Sequence, residues 1–222
     1  MIADNKSKRK MFLKIYDSLL KHFGKQYWWP TLSRNKKLEI CVGAILTQNT
    51  AWKNVEKALR NLINENLLNL EALNKINQKK LESLIKSAGY YRQKAKKIKA
   101  LIKFLITKKK PSRKNLLAIY GVGKETADSM LLYAFNKPVF VVDAYTRRIF
   151  SRLGILNENL SYDEIQEIFE ANLPRDTELF KEYHALIVEL GKNYCKKKSP
   201  SCEECPLNSI CKFKQHSRSL LK

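Results

Sequence analysis

Apolar side chains recur along this chain at three- and four-residue intervals, the spacing that places them on one face of an α-helix. The pattern predicts helices over residues 8–23, 35–47, 66–76, 78–87, 144–153 and 177–194. No segment shows the strict alternation of a half-buried β-strand, and the apolar run at residues 139–142 is too short to build a sheet. We therefore expect an all-α fold.

Residues 116–143 contain a tight glycine turn between two helical patterns. An apolar run leads into Gly121-Val122-Gly123, and a helical stripe then resumes. Glycine leaves backbone N–H groups unobstructed at the start of the second helix, where the dipole favours an anion such as phosphate. The segment ends on a single carboxylate, Asp143. The pattern is typical either of a phosphate-binding turn followed by a reactive carboxylate, or of a plain helix hairpin and a helix-capping Asp.

Two connecting segments carry candidate binding side chains. Trp28-Trp29-Pro30 places two tryptophans before a helix-stopping proline, where they either fill the core or form a stacking surface. The helix over 35–47 ends in a polar cluster that includes Gln48 and Asn49, whose amides are suited to hydrogen-bonding with base edges. An alternative is that Asn49 or Thr50 caps the next helix, which carries Trp52.

The charge balance narrows the choice of partner. With 43 Lys and Arg against 21 Asp and Glu, the 222-residue chain has a net charge of +22, which favours a polyanion: DNA, RNA or an anionic membrane. The helix that begins after Tyr90 shows this locally, with a predicted basic face of Lys94, Lys96, Lys97 and Lys99. No apolar run approaches the ~20 residues of a membrane span. The N-terminal segment predicts a helix rather than a signal peptide, so a cytoplasmic protein is expected.

Four cysteines stand close together near the C-terminus. Cys195, Cys202, Cys205 and Cys211 follow the pattern C-x6-C-x2-C-x5-C. Thiolates are soft ligands, so an iron–sulfur cluster and a structural zinc both fit, and the spacing alone does not separate them. Disulfides are disfavoured because nothing marks the chain as secreted. Lysines at 196–198 and 212 flank the cysteines, so a metal-pinned loop would present positive charge to phosphate.

Taken together, these motifs resemble the endonuclease III (HhH-GPD) superfamily of DNA glycosylases. The resemblance rests on residues 46–50, the hairpin at 120–127, the apolar approach to Asp143 and the four-cysteine loop, in matching order and spacing. It implies a two-lobed helix-hairpin-helix fold with a helical bundle at 30–137. The second domain would combine 1–29 with 138–222 and hold a [4Fe–4S] cluster in the loop at 195–211. Double-stranded DNA with a damaged base would lie in the cleft between the lobes.

One position departs from the bifunctional members of this superfamily. Those carry a Schiff-base lysine two residues after the second hairpin glycine, where this chain has Glu125. Lys124 is adjacent, but a one-residue step rotates a side chain by ~100° around a helix. Because that lysine forms the imine that leads to strand cleavage, the resemblance implies a monofunctional glycosylase with weak or absent AP lyase activity.

A narrower resemblance concerns the substrate. Trp28-Trp29-Pro30, Trp52 and the run from Gly121 to Asp128 are similar to the 3-methyladenine glycosylases of the superfamily. A 3-methyladenine base carries positive charge, so its glycosidic bond is weakened and an aromatic pocket can hold it by stacking and cation–π attraction. The pocket residues implied are Trp28, Trp29, Pro30, Trp52 and Glu125.

The resemblance also implies roles and alternatives. Asp143 would stabilise the oxocarbenium-like sugar and orient the attacking water, while Gln48 would fill the gap left by the flipped nucleotide. The DNA-binding residues implied are Gln48, Asn49, Gly121, Val122, Gly123, Lys124 and Thr126. The alternatives are a bifunctional enzyme for oxidised pyrimidines, a mismatch thymine glycosylase, and a non-enzymatic DNA-binding module with a structural metal. We expect a nucleoid-associated monomer that acts in base excision repair.

Overall fold

The computed structural model describes residues 5–213, and this part of the chain is helical, with no β-strand. Its α-helices are α1 Asn5–Phe23, α2 Lys36–Leu46, α3 Trp52–Asn64, α4 Leu70–Lys75, α5 Gln78–Leu84, α6 Tyr91–Ile106, α7 Arg113–Leu117, α8 Lys124–Ser129, α9 Ala144–Arg152, α10 Tyr162–Asn172 and α11 Thr177–Asn193. A π-helical turn, Met130–Ala134, continues α8, and short 3₁₀ helices lie at Lys86–Ala88 and Asn208–Ile210. The all-α prediction is confirmed. Within the described range, none of the helices combines the length and apolar character that a bilayer span requires.

The chain divides into two compact units. Unit 1 comprises Met1–Trp28 and Pro138–Lys222, and unit 2 comprises Trp29–Lys137. Each unit has its own hydrophobic core, in keeping with a chain long enough for two small domains.

Unit 2 is built around α2, in which every residue from Leu38 to Leu46 is buried. This helix packs against α3, α6 and the π-helical turn. Glu39 is also fully buried, and its carboxylate accepts hydrogen bonds of 2.7 Å from the backbone N–H groups of Leu32 and Ser33. Because a buried carboxylate needs such partners, Glu39 fixes the segment that follows Trp29 and Pro30.

Unit 1 has an aromatic core to which α1, α9, α10 and α11 contribute. The Phe140 ring stacks on Phe169 at 4.1 Å between centroids, and Phe12 meets Phe169 edge-on at 5.0 Å. The buried hydroxyl of Tyr183 donates a 2.9 Å hydrogen bond to the carbonyl of Phe12. These contacts attach the N-terminal helix to the C-terminal part of the chain, although the two are far apart in sequence.

Helix ends follow local sequence signals at several places. The spacing Ser161-x-x-Glu164 in the sequence predicts a capping box at the start of α10. The structure confirms it, because Ser161 Oγ accepts from the Glu164 N–H at 3.3 Å and Glu164 Oε2 accepts from the Ser161 N–H at 2.7 Å. The alternative role of Asn49 or Thr50 as a cap for α3 is wrong, since Ala51 occupies that N-cap position and makes no side-chain cap. Both polar residues are thus available for other contacts.

Candidate functional site

The glycine turn lies between α7 and α8 in unit 2. Gly121 has φ +76°, and a Cβ at this position would come within 2.4 Å of the Lys97 side chain, so the fold requires glycine here. Gly123 is the N-cap of α8 with φ −90°, and an added Cβ would meet nothing within 4 Å. The fold therefore does not require glycine at 123. The open space above the first turn of α8 leaves room for a ligand to approach the backbone.

The hairpin is held rigid from within. Val122 is buried between the two glycines. On α8, the fully buried carboxylate of Asp128 accepts hydrogen bonds from Arg113, to Oδ1 from Nε at 2.9 Å and to Oδ2 from Nη2 at 3.1 Å. This bidentate pair joins the start of α7 to α8, and such pairs hold planar groups in a fixed geometry.

Two charged residues, Lys124 and Glu125, occupy the first turn of α8, and both are exposed. Thr126 follows them but is only 8% exposed, so its side chain points inward. The N–H groups at the start of a helix lack intrahelical partners, so the exposed side chains of Lys124 and Glu125 stand beside backbone donors.

The polar loop after α2 is joined to this hairpin through Gln48. Its Nε2 donates to the Gly121 carbonyl at 3.1 Å and to Thr126 Oγ1 at 3.0 Å, while its Oε1 accepts from Lys97 Nζ at 2.6 Å. Asn49, the next residue, is exposed and has a left-handed backbone, φ 51°, which Asn tolerates better than most residues. The structure thus brings together Gln48, Gly121 and Thr126 in unit 2.

The basic face expected for α6 is wrong at Lys94, which is buried. It is only 2% exposed, and its Nζ donates to the carbonyls of Leu46 and Ala88, each at 2.8 Å, and to Thr50 Oγ1 at 2.7 Å. Burial, followed by the nearby charge of Lys97, lowers the pKa of Lys94 to about 8. The expectation failed because a long lysine side chain at the edge of a helix face can bend inward when the fold presents carbonyl oxygens.

The tryptophans are distributed over both units. In unit 2, Trp29 meets Trp52 edge-on at 5.4 Å between centroids and Tyr133 at the same distance. Gly43 lies beneath the Trp29 ring, since a Cβ there would approach Trp29 Cζ2 to 3.2 Å. Trp28 belongs to unit 1, where the ammonium of Lys192 lies 5.8 Å from its ring.

These aromatic side chains are neither fully in the core nor fully on the surface. Trp28, Trp29 and Trp52 are partly buried, while the neighbouring Pro30 is exposed. Tyr133, which sequence reasoning missed, is buried in the π-helical turn. Its only sequence signal was an aromatic residue on the helical stripe after the hairpin.

Asp143 stands at the N-terminus of α9 in unit 1 and caps it. Its Oδ1 accepts hydrogen bonds from the Thr146 N–H at 2.7 Å and the Thr146 hydroxyl at 2.9 Å. Its Oδ2 lies 3.8 Å from His184 Nε2 on α11, and the Asp143 side chain is 13% exposed. The helix-capping alternative is therefore confirmed, and capping occupies only one of the two carboxylate oxygens.

Sequence reasoning missed His184. Desolvation by burial lowers its pKa, and the Asp143 carboxylate opposes that shift. The sequence feature that could have identified His184 is a titratable side chain on the apolar face of a long helix, between the buried residues Phe180 and Ile187. Such a group beside a carboxylate is a candidate for a functional site.

The four cysteines line a single cavity in unit 1 together with Arg152 and Tyr194. Arg152 Nη1 donates to Cys195 Sγ at 3.3 Å. Burial raises the pKa of the Cys205 thiol to about 11, and the other three thiols add to that shift. Four thiolates in one place need a cationic centre to offset their repulsion, which iron provides in a cluster. The donor set fits an iron–sulfur group. Elsewhere, Cys41 is buried in α2.

Comparison with known proteins places these features in a family. Residues 42–175 match the HhH-GPD superfamily of base excision DNA repair proteins. Residues 195–211, which begin and end on cysteine ligands, match the iron–sulfur binding domain of endonuclease III.

Individual relatives agree with this assignment. The chain is 51% identical over 218 residues to a Methanocaldococcus jannaschii protein named "Putative DNA repair glycosylase MJ1434", covering 92% of this chain and 97% of that one. An endonuclease III in a non-covalent complex with DNA superposes with a TM-score of 0.82 and 26% identity, covering 95% of this chain and 98% of that chain. A Helicobacter pylori 3-methyladenine DNA glycosylase bound to 1,N6-ethenoadenine superposes with a TM-score of 0.71 and 32% identity, covering 86% and 98%. With its helical hairpin, capping carboxylate and iron–sulfur binding domain, the chain belongs to the HhH-GPD superfamily of base excision DNA repair proteins, as a DNA glycosylase.

Proposed function

We propose that this DNA glycosylase is monofunctional and releases alkylated purines, with 3-methyladenine as the type substrate, from double-stranded DNA. The observation that carries the substrate choice is the aromatic group of Trp29, Trp52 and Tyr133. Electron-rich rings attract a cationic base by stacking and cation–π interaction, and they discriminate against a neutral base. The 32% identity to a 3-methyladenine DNA glycosylase supports the same choice.

Asp143 is the catalytic carboxylate in this proposal. Its Oδ1 is occupied by the cap of α9, so Oδ2 is the oxygen that stabilises the oxocarbenium-like sugar and orients a water for attack. The N-glycosidic bond breaks, the base leaves with the bonding electrons, and water adds to the sugar carbon and gives up one proton. A cationic 3-methyladenine leaves as a neutral base, so no dedicated general acid is needed.

The hairpin grips the DNA backbone. The open space at Gly123 lets a phosphate approach the first-turn N–H groups of α8, and Lys124 adds a positive charge beside it. Gln48 and Asn49 lie on the adjoining loop, where Gln48 fills the gap left by the flipped nucleotide. The net charge of +22 supplies long-range attraction to DNA. The protein acts as a monomer.

The first turn of α8 supports the proposal that AP lyase activity is weak or absent. Glu125 occupies the second position of that helix, and a carboxylate cannot form an imine with an abasic sugar. Lys124 carries the only amine in this turn, and it projects from a different face of the helix. We therefore expect base release without strand cleavage.

The four cysteines hold a [4Fe–4S] cluster. When bound, the cluster acts as a cross-link that pins the loop and presents the lysines at 196–198 to phosphate; no step of base release depends on its redox chemistry. A brown protein with thiolate-to-iron charge-transfer absorbance and about four irons per chain is expected. Stoichiometric zinc in a colourless protein would contradict this assignment.

A second candidate is a bifunctional endonuclease III that acts on oxidised pyrimidines with AP lyase activity. The match of residues 195–211 to the endonuclease III iron–sulfur domain and the TM-score of 0.82 to an endonuclease III favour it. In that case Lys124 would have to serve as the nucleophile.

One experiment separates the two candidates. Duplexes that contain 3-methyladenine, an oxidised pyrimidine or a G·T mismatch are incubated with excess enzyme, and released bases and strand breaks are measured separately. We expect release of 3-methyladenine with intact strands and no covalent adduct after borohydride treatment on abasic DNA. Release of oxidised pyrimidines with an adduct at Lys124 would establish the second candidate. Thymine release would indicate a mismatch glycosylase, and tight binding without release of any base a non-enzymatic module.

A further inference from the structure

We propose that Lys97 is a positioning residue for Gln48. It holds the amide of Gln48 in one orientation against the Gly121 turn. The Gln48 side chain is therefore already ordered before it enters the gap in the DNA. The inference rests on the gap-filling role that the proposed function gives to Gln48, and it adds a residue that neither the motifs nor the hairpin pattern identified.

The hydrogen bonds at Gln48 allow only one amide orientation. Lys97 Nζ is a donor with no acceptor capacity, so it must face Oε1, to which it is bonded at 2.6 Å. The Gly121 carbonyl is an acceptor only, so it must face Nε2, at 3.1 Å. A flipped amide would set two donors against each other and two acceptors against each other. The Thr126 hydroxyl, at 3.0 Å from Nε2, accepts the second amide proton.

Lys97 is itself held in place. Its Cγ, Cδ and Cε methylenes lie over Gly121, each within 2.5 Å of where a Cβ would stand, so the stem packs on the bare backbone of the turn. The side chain is partly buried, unlike that of an ordinary surface lysine. Lys97 therefore links Gln48, through its ammonium, to Gly121, against which its methylene stem packs.

The neighbouring turn of α6 fixes the base of the same loop. Lys94, three residues before Lys97 and so on the same side of the helix, donates to the Leu46 carbonyl and to Thr50 Oγ1. These two residues flank the segment 47–49. Two lysines of α6 thus hold the loop at its base and at its tip.

This arrangement has a consequence for affinity. A side chain that is already ordered loses less conformational entropy when it enters the gap, so the gain applies only to DNA that offers a gap. The rival role, a direct contact of Lys97 with phosphate, would strengthen binding to every duplex equally and would add about one unit to the salt slope.

The first test compares two duplexes of one sequence, one intact and one with a stable tetrahydrofuran abasic-site analogue. Lys97→Met keeps the methylene stem and removes the ammonium. The matched control is Lys103→Met, which removes one charge from an exposed position on the same helix. We expect Lys97→Met to weaken binding to the abasic duplex about tenfold, the equivalent of one charge-assisted hydrogen bond. Binding to the intact duplex should match that of the control, and Lys97→Arg should recover most of the loss.

A double-mutant cycle with Gln48→Ala completes the test. If Lys97 acts through Gln48, the double variant binds the abasic duplex no more weakly than Gln48→Ala alone. Additive losses, or an equal loss on both duplexes with a shallower salt slope, would overturn the inference. So would wild-type affinity in Gln48→Ala, which would also remove the gap-filling role. Because an abasic duplex is bound whichever base the enzyme releases, failure to release 3-methyladenine would count against the proposed function alone.

Discussion

Asp143 Oδ2 lies 3.8 Å from Nε2 of His184, and both side chains are largely buried in unit 1. The other carboxylate oxygen, Oδ1, accepts hydrogen bonds from the backbone N–H and the hydroxyl of Thr146. One carboxylate therefore caps the N-terminus of α9 and also faces an imidazole from α11, so its orientation is fixed from two directions. In the catalytic role that we propose for Asp143, a carboxylate held in this way would be preorganised for the charge that develops on the sugar, which is the condition under which electrostatic stabilisation is most effective.

Replacing Asp143 by Asn separates its chemical role from its structural one. Asn caps a helix about as well as Asp, so we expect the free energy of unfolding to change by less than ~1 kcal/mol. The variant has no negative charge, and the single-turnover rate of 3-methyladenine release should fall by at least ~100-fold. Urea unfolding and single-turnover assays measure the two effects. A near-normal rate in the folded variant would show that Asp143 is not the catalytic carboxylate.

His184 predicts how stability depends on pH. Burial holds its folded-state pKa below the ordinary value of 6.5. Between these two values the unfolded chain binds more protons than the folded one, so the free energy of unfolding decreases as pH falls. The contribution is complete above pH 6.5 and is lost progressively below it.

The check on this prediction compares urea unfolding at pH 7.5 and pH 5.5 for the wild type and for His184→Gln. The variant should lose less stability over this interval than the wild type, because it lacks the titrating imidazole. In Asp143→Asn, the loss should be larger, since the carboxylate that favours protonated His184 is gone. An identical loss in wild type and His184→Gln would disprove the assignment.

Sequence patterns were sufficient at most places where the physical cause is local, although the proposed cap of α3 at Asn49 or Thr50 was not among them. The helix stripes, the Ser161–Glu164 capping box and the glycine turn depend on residues a few positions apart, and the structure has each of them, although the helices predicted at 66–76 and 78–87 are the shorter α4 and α5. The capping function of Asp143 was similarly available from its place before a helix.

The features that sequence missed depend on contacts between distant residues. The sequence predicts Lys94 on the exposed face of α6. Its acceptors, the carbonyls of Leu46 and Ala88, come within reach only when α2 and the 3₁₀ turn pack against α6. The pairing of Gln48 with Lys97 and that of Asp143 with His184 likewise join separate helices. Hydrophobic periodicity assigns faces to a helix, but it does not say which polar side chain will find a partner.

The two hairpin glycines should respond differently to alanine. Gly121→Ala forces a side chain into left-handed backbone and against Lys97, so we expect it to lower the free energy of unfolding by about 1–2 kcal/mol or more. Gly123→Ala meets open space at an ordinary φ, so its cost should stay below ~1 kcal/mol, chiefly from the weaker N-cap.

We expect the opposite order for DNA binding. Relative to its small effect on the free energy of unfolding, Gly123→Ala should have the larger effect on affinity for DNA. In Gly123→Ala the new methyl group would occupy the space through which, in the proposed function, a phosphate reaches the α8 amides, so affinity for duplex DNA should fall about tenfold in a fully folded protein. Fluorescence anisotropy at fixed salt, beside thermal unfolding, measures both quantities. Unchanged affinity in Gly123→Ala would place the phosphate contact elsewhere.

Replacing Lys94 should lower the stability of the fold, although Lys94 has no direct role in the proposed reaction. Lys94→Met has a similar length but leaves the buried carbonyls of Leu46 and Ala88 without the hydrogen bonds that the ammonium provides. The Ala88 carbonyl keeps its hydrogen bond from the Thr50 hydroxyl, whereas the Leu46 carbonyl loses the ammonium, and a buried polar group that loses its partner is costly. We expect the free energy of unfolding to fall by ~2 kcal/mol, against less than ~0.5 kcal/mol for Lys103→Met on the surface of the same helix. Urea unfolding near pH 7 gives both values. A variant that is more stable than the wild type would mean that the desolvation of the ammonium outweighs its three hydrogen bonds, and that the loop over 47–49 does not depend on Lys94.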